Sequence, residues 1–242
     1  MPHAPGRITR TPVAPAWHTI VFLALMLGAS VFSAVAGHIP AIVALREIRA
    51  LRYGVGFVGE WLYLAFIWYG IRLRGVTLAE LIGGRWSTVG DVLRDAGRAI
   101  AFLIVSWIIL AVGRIILGAT TMNQSMVQLI PRTPGEVLLF VGVAVTAGVC
   151  EEIMCRGYVM RQFHAWTGSA TVALIAQGVI FGGAHGYQGP SQMVLLSIFG
   201  CLFGWLAQRQ QSLRPGIIAH VLQDVAFGVI GFLLVGRNIR RA

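Results

Sequence analysis

The sequence predicts an all-α fold, a polytopic bundle of about seven membrane-spanning helices, within a range of six to eight. Of the 242 residues, 57% are hydrophobic and only 12% are charged, whereas a typical soluble domain has about 25% charged residues. Between Arg161 and Arg209 there is no Asp, Glu, Lys or Arg. That stretch has room for two spans of about 20 residues and a turn.

Seven apolar stretches mark the predicted spans, and prolines fall between them, where a missing backbone donor does no harm. Thirty glycines predict close helix–helix contacts. We expect one integral membrane domain, with residues 1–135 free of motifs and residues 136–242 carrying the site. The predicted spans are Trp17–Ala36, Val55–Ile71, Ala99–Ala119, Val137–Val159, Ala170–Gly186, Ser191–Gln208 and Gly216–Val235.

The first span has two interpretations. Arg7 and Arg10 precede an apolar run that ends in Ala34-Val35-Ala36, a pattern that also fits a cleaved signal peptide. Because the run is long enough to span and the rest of the chain is polytopic, we favour a helix that is retained.

The connection before the third span predicts a helix along the membrane interface that runs on into the span. Thr88 and Asp91 have the spacing of a capping box. Asp91 with Arg94, and Asp95 with Arg98, are i,i+3 pairs of opposite charge. We expect the polar face of this helix to be solvated, and a surface that docks a partner is the alternative.

The net charge of +10 does not indicate nucleic acid. Arginines stand at the ends of the apolar stretches, where they are typical of anchoring to lipid headgroups, and no recognition-helix or zinc pattern is present. The partner that we expect is therefore the lipid bilayer. The three cysteines, Cys150, Cys155 and Cys201, lie in apolar segments and are predicted to be free buried thiols rather than a disulfide.

Two adjacent glutamates, Glu151 and Glu152, end an uncharged apolar stretch and precede Arg156. An ionised carboxylate in hydrocarbon costs roughly 2.5–3.5 kcal/mol or more, so each needs a partner or a function. Glu152 and Arg156 are i,i+4 and predict an ion pair on one helix face. Glu151 lies about 100° round the helix and is predicted to be the carboxylate that is free for chemistry.

Two later spans carry further polar groups. Phe181 and His185 are four residues apart in one span, and His220 and Asp224 are four apart in the last. A single intramembrane histidine is more often a hydrogen-bonded helix contact than a catalyst. Ionisable groups on three separate helices favour a common site, because each carries its own cost of burial.

Depth within the membrane supports part of this site. Glu151 and His185 are symmetric about Gly168, which lies in a predicted turn. At 1.5 Å per residue both side chains lie roughly 25 Å from that turn, and therefore at the same height in the helix bundle. Straight helices leave His220 and Asp224 offset from His185 by about 10–18 Å, so we expect a tilted or broken helix to close the gap.

The three motifs, Glu-Glu-x-x-x-Arg at 151–156, Phe-x-x-x-His at 181–185 and His-x-x-x-Asp at 220–224, resemble those of the CAAX prenyl protease type 2 family. This family belongs to the wider CPBP (Abi) group of intramembrane proteases. The resemblance covers the chain from Glu136 to Val235. It implies an intramembrane endopeptidase that cleaves a membrane-associated peptide or protein, and we expect a bacterial cell membrane.

The resemblance also implies roles for the motif residues. Glu151 would be the general base, and His185 would help to hold the attacking water. His220 and Asp224 would stabilise the oxyanion. The family often has Asn at the last position, and Asp can donate a hydrogen bond only when protonated, so Asp224 could instead orient His220 or bind a cation. Glu152, Arg156 and Phe181 would support these groups.

A metal is the alternative to activation of water by glutamate alone. Glu151, His185 and His220 are suitable zinc ligands, and members of the family are often labelled metalloproteases. The His-Glu-x-x-His signature of zinc proteases is absent from the sequence. We expect no metal and no other cofactor, with zinc as the alternative.

Two functions from other classes stay open. Intramembrane carboxylates and histidines also build proton relays, so a proton-coupled transporter is possible, although no internal repeat supports it. A non-catalytic immunity or scaffold protein is the other alternative. Outside the motifs, Glu60 and Arg114 lie within spans and are predicted to pair and tie two helices together, with a role in substrate binding as the alternative.

Overall fold

The computed structural model describes residues 11–119 and 124–239, and within this part of the chain there is no strand. The predicted all-α class is confirmed. The helices are α1 (Ala16–Ala36), α2 (Pro40–Glu47), α3 (Arg49–Arg72), α4 (Leu78–Ile82), α5 (Val89–Ile116), α6 (Gln124–Val127), α7 (Pro134–Thr167), α8 (Ala170–Ala184), α9 (Pro190–Gln210) and α10 (Arg214–Ile239).

Six of the described helices are long and apolar enough to cross a membrane, namely α1, α3, α5, α7, α9 and α10. The chain is an integral multi-pass membrane protein. The fifth predicted span, Ala170–Gly186, corresponds to α8, which has 15 residues, or about 22 Å of helix against a hydrocarbon core of about 30 Å. It packs closely between α7 and α9, so it lies within the bundle without the length of a full span.

Helix α7 is longer than its predicted span. It continues past Val159 to Thr167 and has 34 residues, which would be about 50 Å of regular helix. Gly168 ends it with a left-handed backbone conformation, φ 68°, which favours glycine. The hydroxyl of Ser169 then accepts from the backbone N–H of Val172 and caps α8. The predicted turn at this position is confirmed.

The predicted capping box opens α5. The side chain of Thr88 accepts from the Asp91 backbone, and the Asp91 carboxylate accepts from the Thr88 backbone. Both predicted ion pairs are present, Asp91 with Arg94 and Asp95 with Arg98. The interfacial segment and the third span are therefore one continuous helix.

Glycines let α8 and α9 approach to backbone contact. A Cβ atom at Gly200 would lie 3.0 Å from the Cα atom of Gly178, and one at Gly182 would lie 2.8 Å from the backbone nitrogen of Ser197. Any larger residue would force the two helices apart. This packing sets the position of the end of α8, where His185 follows.

Helix α1 is bonded into the bundle. Its His18 is fully buried, stacks on Phe66 at 4.1 Å between ring centroids and shares a 2.7 Å hydrogen bond with the hydroxyl of Tyr158 on α7. Gln162 of α7 accepts from the backbone N–H groups of Val13 and Ala14 just before α1. These contacts favour a helix that belongs to the folded protein.

Candidate active site

The Glu-Glu-x-x-x-Arg motif coincides with a change in helix type. Residues Glu152–Val159 of α7 are π-helical, and all eight are buried. Short π segments inside α-helices are rare and are frequent at functional sites. No pattern in the sequence predicted this segment. It begins immediately after Glu151, so the two glutamates stand on either side of the change.

The predicted pair of Glu152 and Arg156 is present. Oε1 of Glu152 accepts from Arg156 at 2.9 Å, and both side chains are fully buried. Arg156 also donates to the backbone carbonyl of Gly200 at 3.3 Å. Its guanidinium lies 4.5 Å from the ring centroid of Phe181 and 5.0 Å from that of Phe203. The arginine thus joins α7, α8 and α9.

His220 of α10 lies between the two glutamates. Its Nδ1 is 3.1 Å from Oε1 of Glu152, and because a carboxylate only accepts, this nitrogen carries the proton. Its Nε2 is 3.6 Å from Oε2 of Glu151 and 3.8 Å from Oδ2 of Asp224. Glu152 therefore contacts the candidate site directly and is more than a partner of Arg156.

The gap that straight helices would leave between His185 and the pair of His220 and Asp224 is closed, as expected. Nε2 of His220 lies 3.6 Å from Oε2 of Glu151, and His220 and Asp224 line one cavity with His185. Helix α7 contains a π segment and α8 ends at Ala184. Position along the sequence therefore does not convert into depth at 1.5 Å per residue.

His185 follows the last residue of α8 and is held from two sides. Its Nδ1 donates to the carbonyl oxygen of Phe181 at 2.8 Å, which leaves Nε2 of the neutral ring as an acceptor. Ser30 of α1 donates to the carbonyl of Gly183 at 2.9 Å and accepts from the N–H of Gly186 at 3.0 Å. Ser30 thus orients the turn that carries His185, although no motif marked it.

Two cavities meet at the predicted catalytic residues. The first, of about 240 Å³, contains Glu60 and is called here the Glu60 cavity; the second, of about 250 Å³, contains Asp224 and is called the Asp224 cavity. Four residues line both: Glu151, Phe181, His185 and Tyr187. His220 also lines the Asp224 cavity. All four side chains proposed from the sequence as catalytic therefore line one cavity.

Two residues outside the motifs also line these cavities. Glu60 was predicted to pair with Arg114, but its Oε2 is buried without a hydrogen-bond partner and the residue lines the cavity with Glu151. Tyr187, which no motif marked, lines both cavities. Burial raises the pKa of its hydroxyl. The signal available for Glu60 was its position as a carboxylate within a span.

The residues present do not form a metal site as they are arranged. Among residues 11–119 and 124–239, no three side chains of His, Cys, Asp or Glu are grouped so that they could hold a metal ion. The cysteines Cys150, Cys155 and Cys201 are free thiols.

Residues 133–226 match the family model described as type II CAAX prenyl endopeptidase, Rce1-like. The C-terminal part of the chain is therefore similar to the CAAX protease (CPBP) family, as the motifs indicated. The match covers all three motifs and most of the helices that carry them, while α1 to α6 lie outside it. No curated protein and no solved structure matches the chain. This similarity supports an intramembrane endopeptidase of the CAAX type in general terms.

Proposed function

We propose that this protein hydrolyses a peptide bond of a membrane-associated protein or peptide with water activated by Glu151 and without a metal. The observation that carries the proposal is the grouping of Glu151, His185, His220 and Asp224, from separate helices, around one cavity within the membrane bundle. Each ionisable group buried there carries a free-energy cost, which a shared catalytic site explains.

In the proposed first step, Glu151 accepts a proton from a water that also donates a hydrogen bond to Nε2 of His185. The resulting hydroxide attacks the carbonyl carbon, and the carbonyl oxygen becomes an oxyanion. His185 suits this role because its Nδ1 is already bound to Phe181, which presents Nε2 as an acceptor.

In the proposed second step, the tetrahedral intermediate collapses. With both nitrogens protonated, His220 donates one N–H to Glu152 and offers the other to the oxyanion, next to Asp224. The C–N bond then breaks, and Glu151 returns its proton to the leaving amine. Glu152 and Arg156 hold His220 in place through their buried pair.

The experiment compares proteins accumulated in cells that carry the wild type or Glu151→Gln. The expected result is a set of uncleaved membrane precursors in the variant, because Gln cannot accept the proton. Glu136→Gln is a matched control, since Glu136 lies on the same helix and accepts from the backbone of Arg132 near its start. An identical precursor profile in wild type and Glu151→Gln would refute the proposal.

A further inference from the structure

Glu60 is a carboxyl group of the site that the proposed mechanism does not use. It lies on α3, outside the segment matched by the family model, and lines a cavity with Glu151 and His185. Its Oε2 is buried and has no hydrogen-bond partner. Leaving a buried carboxyl oxygen without a partner is costly. A donor that enters from the cavity can supply that partner.

The charges around the two cavities favour a cationic partner. Among the described residues, three carboxyl groups line them, those of Glu60, Glu151 and Asp224, and none of the lining side chains is an arginine. The nearby Arg156 is already paired with Glu152, with both side chains fully buried. The site thus carries an excess of carboxyl groups in a chain of net charge +10.

The arrangement of the cavities gives that cation a position. Glu151 and His185 line both cavities. A peptide that passes through the two cavities therefore has its scissile bond next to these two residues. A side chain that flanks the bond then enters the Glu60 cavity. The apolar walls there include Met26 and Met154, which suit the methylene stem of a long basic side chain.

We propose that Glu60 binds a lysine or arginine side chain of the substrate next to the scissile bond. The inference rests on the proposed function, since it assigns the substrate of that same site. The ammonium or guanidinium group donates a charge-assisted hydrogen bond to the carboxylate of Glu60. The substrate thereby brings the partner that this carboxylate lacks in the protein alone.

The test uses membrane-anchored peptides in which one lysine is moved position by position through the cleaved segment, each with a norleucine counterpart. Purified wild type in proteoliposomes should cleave the best lysine peptide at least about ten-fold faster than its counterpart. Glu60→Gln, which keeps size and hydrogen bonding but removes the charge, should reduce that ratio to about two-fold or less. Glu136→Gln should leave the ratio unchanged.

A binding measurement separates this inference from the proposed function. The affinities of the same fluorescent peptide pairs are measured on Glu151→Gln and on Glu60→Gln/Glu151→Gln. Glu151→Gln should bind the lysine peptide more tightly than its norleucine counterpart, and the double variant should bind the two peptides equally. This result supports the inference whether or not cleavage is seen. Equal affinities for lysine and norleucine at every position, or a lysine preference that survives Glu60→Gln, would overturn it.

Discussion

Replacing Glu152 with Gln should destabilise the protein strongly, whereas the same change at Glu151 should not. Glu152 and Arg156 are both fully buried, and Oε1 of Glu152 also accepts from His220. Removing one partner of a buried ion pair costs about 3–5 kcal/mol, because the other charge stays buried alone. On the scale of soluble domains of this size, that is a fall in melting temperature of roughly 6–20 °C.

Glu151→Gln is the matched control, since it changes the adjacent residue in the same way. The Glu151 side chain is 16% exposed, and its Oε2 lies 3.6 Å from Nε2 of His220. Its melting temperature should stay within about 2 °C of wild type while cleavage is lost. Glu152→Gln should also lower the activity of the protein that remains folded, because His220 loses the carboxylate that orients it.

Unfolding can be followed with a thiol-reactive dye, because Cys150 and Cys155 are buried free cysteines. The double variant Glu152→Gln/Arg156→Met removes both charges and should be more stable than Glu152→Gln alone. The reasoning is refuted if Glu152→Gln melts with the wild type. It is equally refuted if the double variant loses as much stability as Glu152→Gln and Arg156→Met lose together when each is measured alone.

Three further predictions concern the oxyanion, the metal and the packing of α8. If Asp224 donates to the oxyanion in its protonated form, Asp224→Asn should keep activity within a few-fold of wild type. The fall in activity toward alkaline pH should then be less steep in this variant than in wild type. A well-folded variant that is slowed about 100-fold or more would show that Asp224 acts in its ionised form. Dialysis against a strong chelator should leave cleavage unchanged, and restoration of lost activity by zinc would establish a metal mechanism. Gly182→Ala should cost about 1–3 kcal/mol and reduce cleavage, because its Cβ would meet the backbone of Ser197. Gly54→Ala, with no atom within 4 Å of its Cβ, should be neutral or stabilising when both are measured by thermal unfolding.

The sequence alone determined the fold class, the motif residues and the ion pairs within single helices. Long apolar stretches can cross a membrane only as helices, since backbone groups have no water to bond there. The Glu152–Arg156 pair was also predictable, because both residues lie on one helix and i,i+4 spacing brings them together. The capping box at Thr88 followed from local spacing in the same way.

Only the tertiary structure decided how the helices stand relative to one another. The contact between His220 and Glu151 joins residues 69 positions apart, so it depends on helix tilt, on the π segment of α7 and on the glycine contact of α8 with α9. The contributions of Ser30 and Glu60 come from α1 and α3, which carry no motif. Periodicity and spacing describe one helix at a time, whereas packing between helices places these side chains in a common site.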